Sequence, residues 1–198
     1  MSQQILDTIF LLMFPILFFV IFFLIFYYSN KKKKEVLKKL SSFLTGAISK
    51  LSFMPTFNGE YQGLRFSVIL IPASRNSPAY LKISLAKNSF FKLTIYKESF
   101  LSSLGKKMGI VHEVKINDEM FDKEFLIFSN KPTQVMTYLN NISIKNTVRE
   151  LFNNGFNAVC INGKQILIQK PNYILEKDVE SQNLIMILQK LTLIARGL

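Results

Sequence analysis

The sequence predicts an α+β protein with an N-terminal transmembrane helix, an amphipathic linker helix, and a mainly antiparallel sheet with helices on one face and a long C-terminal helix. Three observations carry that reading. Residues 9–28 are twenty positions without a charge, and at about 1.5 Å of rise per residue such a helix spans about 30 Å, the thickness of a bilayer's hydrocarbon core. From residue 57 onward, short runs rich in β-branched and aromatic residues are punctuated by glycine, proline and asparagine, as strands are. The last twenty or so residues repeat apolar side chains at three- and four-residue steps, the spacing of one helix face. The chain therefore divides into a short extracytoplasmic tail (1–8), a membrane helix (9–28), a basic juxtamembrane amphipathic helix (29–54) and a soluble α+β domain (55–198).

Within the span, Phe10, Phe14, Phe18, Phe22 and Phe26 recur at every fourth residue, and Tyr27 and Tyr28 stand where an aromatic belt meets the headgroups. Lipid contact accounts for this stripe. A seam for a partner helix is the rival reading, but residues 9–28 contain no glycine, alanine or serine to let two helices approach closely. Pro15 predicts a kink in the outer third. A cleaved signal peptide needs a positive leading segment, a shorter apolar core and a small-residue cleavage site, whereas Asp7 is the only charge in residues 1–8. Lys31, Lys32, Lys33, Lys34, Lys38 and Lys39 follow the span instead. By the positive-inside rule the N-terminus lies outside and the C-terminal domain is cytoplasmic, at a cell inner membrane or plasma membrane.

The charge distribution narrows the partners. Lysine and arginine number 25 against 13 acidic residues, a formal +12. Residues 31–50 hold seven lysines and Glu35, a net of +6, so half the excess lies in a twenty-residue segment just after the span. That cluster is suited to anionic lipid headgroups, at about 1 kcal/mol per lysine near the surface. Nucleic acid is disfavoured: arginine occurs only at Arg65, Arg75, Arg149 and Arg196, and no basic and aromatic residues interleave on one face. A single Cys160 excludes an intramolecular disulfide and a multi-cysteine zinc site, and is expected as a small buried hydrophobe.

Taken in order, apolar residues between 35 and 52 recur at helical spacing, and Leu37, Leu40, Leu44, Ala47 and Leu51 fit a short heptad seam that would pair two copies in parallel. The headgroup interface or the chain's own domain are the other places for that stripe. Gly46 argues against a stiff continuous helix, and Pro55 marks the domain boundary. Strands 57–61 and 64–71 join through Gln62 and Gly63 as a hairpin, residues 73–79 form a loop, and 80–86 with 91–96 suggest a second hairpin. Residues 101–109 receive no element. A strand near 111–116, a turn at 117–119 and a strand at 124–128 follow. Ser129 and Asn130 are placed to cap the next helix, with Pro132 in its first turn. A second helix over 144–152 is capped by Ser143 and stopped at Gly155. Asn162 and Gly163 predict a type I′ turn between strands 156–161 and 164–169. The final helix opens at Asp178 and lines one face with Leu184, Ile187, Leu188, Leu191, Ile194, Ala195 and Leu198, a stripe that Ile185, Met186 and Leu193 widen until it needs cover on most sides.

Within the soluble domain the best place to look for a site is the turn carrying Asp118, Phe121, Asp122 and Phe125. With Glu119 and Glu124 it puts four carboxylates in seven residues, which suits a divalent cation or a paired acid and base. The structural alternative has Asp118 stabilising the turn, Asp122 capping a bend, and Phe121 and Phe125 filling the core. At Gly59, Tyr61 and Gly63, and again at Asn117, Asp118, Phe121, Asp122 and Phe125, the chain resembles a group of uncharacterised bacterial single-pass membrane proteins. It departs from them at Asn117, where they would have glycine. That resemblance implies no activity.

No phosphate-cradling loop, dinucleotide fingerprint or zinc-binding His-Glu-x-x-His helix is present, and no Gly-x-Ser-x-Gly element accompanies the lone His112. No cofactor or metal is expected, and an enzyme ranks last. The leading expectation is a membrane-anchored interaction or scaffold domain with a protein partner or a second copy of itself. The alternative is a lipid or small apolar-ligand binding domain, its cavity lined by Phe90, Phe91, Phe100 and Phe156.

Overall fold

In the computed structural model, residues 3–49, 54–98 and 112–198 are described. The first element, α1 (Gln3–Leu40), runs without a break from the apolar stretch through the basic run, with Pro15 inside it. From Met13 to Leu40 it is long and apolar enough to cross a membrane. Phe14, Phe18, Phe22, Tyr27 and Tyr28 are all exposed on it; the side chains of Phe10 and Phe26 lie outside the described residues.

Ser41 and Ser42 end the helix by donating their hydroxyls to the carbonyls of Lys38 and Lys39 at 2.6 and 2.7 Å. A strand follows, β1 (Thr45–Ile48), paired antiparallel with β2 (Thr56–Tyr61). The expected helix over 35–52 is therefore corrected beyond Leu40, and the heptad seam with it. Leu37, Leu40 and Leu44 are buried in the chain's own core, Ala47 sits on β1, and Leu51 is outside the described residues. Gly46 fits the strand because it faces Gly59. A Cβ on Gly46 would stand 2.8 Å from the Gly59 Cα and 2.7 Å from the Phe57 ring.

Next come β3 (Leu64–Ile71), β4 (Tyr80–Ala86), β5 (Lys92–Lys97), β6 (His112–Glu113), α2 (Glu119–Glu124), β7 (Phe125–Ser129), α3 (Pro132–Leu139) and α4 (Ile142–Asn153). The chain closes with β8 (Ala158–Asn162), β9 (Gln165–Pro171), α5 (Leu175–Asp178) and α6 (Ser181–Arg196). Among the described residues the strands form one nine-stranded antiparallel sheet, ordered β1-β2-β3-β4-β9-β8-β5-β7-β6. β4 and β5 are not a hairpin. The β8–β9 hairpin inserts between them, matching Ile83 with Ile168 and Ile95 with Val159.

Turn chemistry also differs from expectation. Gln62 and Gly63 both take positive φ, 51° and 76°, so the type I′ conformation occurs in the β2–β3 hairpin. Between β8 and β9 only Gly163 has positive φ. Asn162 instead accepts from the Lys164 and Gln165 N–H groups, and the hairpin closes at Ile161 and Ile166, giving a four-residue connection.

One face of the sheet carries Phe57, Val68, Leu70, Ile83, Leu85, Leu93, Ile95, Ile127, Val159 and Ile168, all buried. The helices pack their apolar sides into this same cluster. α4 contributes Ile144, Val148, Leu151 and Phe152, and α6 contributes Leu184, Ile187, Leu188, Leu191 and Ile194, spacings of three and four residues that define one stripe. On α6, Met186 and Leu193 are exposed, so this helix is covered on one side only. It begins at Ser181, after α5, which Asp178 closes. On the opposite sheet face Ile69, Tyr80, Thr94, Tyr96, Phe128, Cys160 and Leu167 are half-buried. Burial pushes the Cys160 thiol pKa upward, which keeps it protonated and unreactive.

Candidate functional site

The acidic turn assembles from a local signal and a distant one. Asn117 takes φ 62°, a left-handed conformation that asparagine tolerates and glycine adopts freely. Asp118 then N-caps α2, a short helix where the sequence suggested only a turn: its Oδ1 accepts from the Phe121 N–H at 3.1 Å. The other oxygen, Oδ2, accepts from the Lys145 ammonium of α4. The Lys145 hydrogen bond, then that of Phe121, holds the Asp118 carboxyl below the usual carboxylate range. Asp122 turns the other way, its Oδ1 accepting from the Ile116 N–H at 3.0 Å. Phe121 is fully buried; its ring lies 4.7 Å from that of Phe125, which lies 4.8 Å from that of Phe152. The Arg149 guanidinium lies 5.3 Å from the Phe121 ring centre and donates to Glu124 at 3.3 Å.

The four sequence-predicted residues thus come together, but their polar atoms point apart. Asp118 faces α4, Asp122 faces the segment after β6, and Glu119 pairs with Lys123 one turn on. Among the described residues no three metal-ligating side chains converge. What this arrangement does is staple α2 and β7 to α4. Lys145, Arg149 and Phe152, which complete it, are about 25 residues away in sequence and carry no local signal linking them to the turn.

Sequence reasoning missed a second polar site. Between the ends of α4, β9 and α5 lies a cleft of about 510 Å³. At its wall Lys170 donates to Asp178 Oδ1 and to the Asn154 carbonyl, each at 2.8 Å. Asp178 Oδ2 accepts from the Ile174 N–H at 2.7 Å, so one carboxylate caps α5 and pairs with Lys170. Only 4% of the Asp178 side chain is exposed. The only advance signal was an aspartate eight residues after a lysine. Ser129 and Asn130, expected as helix caps, bind β5, Ser129 donating to the Lys92 carbonyl and Asn130 accepting from the Lys92 N–H; Lys131 takes the N-cap position, and its N–H donates to the Ser129 hydroxyl at 2.9 Å. Asn141 caps α4 in place of Ser143.

The basic run divides by direction. Lys32 pairs with Glu176 of α5 at 2.7 Å and Lys33 is half-buried, whereas Lys31, Lys34, Lys38 and Lys39 are exposed. Of the residues considered for an apolar cavity, Phe91 and Phe156 are buried in the core and Phe90 is 85% exposed; Phe100 lies outside the described residues.

No family model matches this chain, and no curated protein matches it. Among solved structures it is similar to the mycobacterial trehalose monomycolate transport factor A, TtfA, with a TM-score of 0.49 and 8% identity over 82% of this chain and 95% of that one.

Proposed function

We propose that this chain is a single-pass membrane protein whose α+β domain is a cytoplasmic interaction or scaffold module held against the inner face of the bilayer. One observation carries the reading: α1 continues from the exposed apolar stretch into the domain, where Leu37 and Leu40 are 0% and 1% exposed. A flexible tether would let a domain search for partners. A helix that is itself part of the core fixes the domain's height and orientation at the membrane, which suits an assembly platform. The basic residues after residue 28 favour an N-out orientation and contact with anionic lipid. The carboxylate clusters support the same reading, since their oxygens are engaged by Lys145, Lys170 and backbone N–H groups. The half-buried sheet face, with Tyr96, Phe128, Leu167 and the lysines Lys82 and Lys92, is the surface offered to a protein partner.

Lysine-directed cross-linking in cells, followed by mass spectrometry, tests this. Links from Lys82 or Lys92 to one recurring second protein are expected. Links confined to the chain itself would overturn the module.

A further inference from the structure

We propose that the groove between α1 and β1 binds the phosphate headgroup of an anionic lipid, and that three of the six juxtamembrane lysines, Lys31, Lys34 and Lys38, form the site. The inference rests on the reading of α1 as a membrane anchor.

Leu37 and Leu40 define the side of α1 that enters the core, and Lys33, on that side, is half-buried. Lys32 and Lys39 are seven residues apart and so share a stripe. It faces α5: Lys32 pairs with Glu176, whose carboxyl is held below the usual range by Lys32 first and by Lys39 to a smaller degree. Lys31, Lys34 and Lys38 occupy the remaining stripe at steps of three and four residues, and none has an ion-pair partner among the described residues. With Tyr27, Glu35 and Ile48 they line a groove of about 270 Å³. Three ammonium groups face one carboxylate there, and Ile48, from β1, forms an apolar wall.

The position selects a lipid over a soluble anion. Tyr27 belongs to the tyrosine pair that closes the apolar run, where headgroups begin. Above it on the same stripe, Val20, Phe23 and Leu24 are 49%, 73% and 50% exposed. A phosphate seated at Lys34 would therefore have an apolar track for its acyl chains directly overhead, and ammonium groups are the point charges such a phosphate takes.

The test uses the full chain in phosphatidylcholine vesicles containing phosphatidylglycerol, with native mass spectrometry counting the phosphatidylglycerol retained on gentle release. Two variants each remove two charges. Lys34→Gln/Lys38→Gln is expected to lower retained phosphatidylglycerol about tenfold or more, while Lys32→Gln/Lys39→Gln keeps it within about twofold. Equal losses would mean diffuse charge attraction and overturn the groove. Displacement of the lipid by an equal concentration of glycerol phosphate would overturn the lipid as its occupant. Alkaline carbonate extraction reads the anchor separately: a chain that washes off the vesicles overturns the anchor itself, whereas a retained chain with equal losses overturns only the site.

Discussion

Asp118 uses both oxygens of one carboxylate, one on the Phe121 N–H and one on Lys145, and both contacts are better with the charged form. Its folded pKa lies below the ordinary 3.8, so the unfolded state binds the proton first. The stabilisation is complete above the unfolded value and is lost as pH falls through the folded one. Thermal melts from about pH 5 down to about pH 3 should show a falling Tm in the native chain and a flatter profile in Asp118→Asn. Asp178 is the harsher case because it is buried. Asp178→Ala would leave Lys170 without its carboxylate and Ile174 N–H without its acceptor, a loss toward the low end of about 3–5 kcal/mol, or about 6–12 °C in Tm at this size. The double change Lys170→Met/Asp178→Leu should recover the part that comes from the unpaired Lys170 charge, since apolar replacement of a buried pair is often neutral, and not the part that comes from the Ile174 N–H. Asn157 makes the opposite point: 7% exposed, its two amide atoms find no partner among the described residues, and Asn157→Val should raise Tm by a few degrees because an unsatisfied buried polar group costs about 1–3 kcal/mol.

Elements whose signal is local could be read from the sequence, and those that depend on a distant partner could not. Strand β3 falls at the expected residues because its alternation, buried at Phe66, Val68 and Leu70, is complete within itself. The four-residue β1 escapes because Leu40, Leu44, Ala47 and Ile48 satisfy a helical period while Thr45–Ile48 is too short to show an alternation of its own, and the deciding contact is with Gly59, thirteen residues on from Gly46. For the same reason residues 80–86 and 91–96 suggest a hairpin that does not form: the side chains that match Ile83 and Leu85 belong to β9, more than eighty residues later. In the acidic turn the sequence located Asp118 and Phe121 but had no means of naming Lys145. The glycine pair offers a test of β1. A Cβ at Gly46 would stand 2.5 Å from the Asn58 carbonyl oxygen as well as against the Gly59 Cα, backbone on both counts. Gly46→Ala should destabilise by about 1–3 kcal/mol. It should also raise amide hydrogen exchange in β1 and β2 well above that in β8 and β9, whereas uniform change across the sheet would show that β1 is not the affected element.

At the scale of the whole molecule, where the domain begins is the question with the most practical consequence. Composition puts the boundary at Pro55, yet Leu37, Leu40 and Leu44 lie in the same cluster as Phe57, Phe66 and Val68. Burying one leucine contributes about 1.5–3 kcal/mol. Three of them amount to a large part of the roughly 5–15 kcal/mol that separates a typical domain from its unfolded state. Removing residues 1–54 would also strip β1 from β2, exposing a long strand edge beside an opened core, the combination that invites association between chains. A fragment of residues 31–198 keeps these leucines and the Lys32–Glu176 pair, and it should be monomeric with one cooperative thermal transition. The fragment 55–198 should either aggregate or melt at least about 10 °C lower. Circular dichroism melts with size-exclusion chromatography decide between them. Equal stability of the two fragments would mean that α1 only leans on the domain, and the rigid connection between α1 and the sheet would have to be given up.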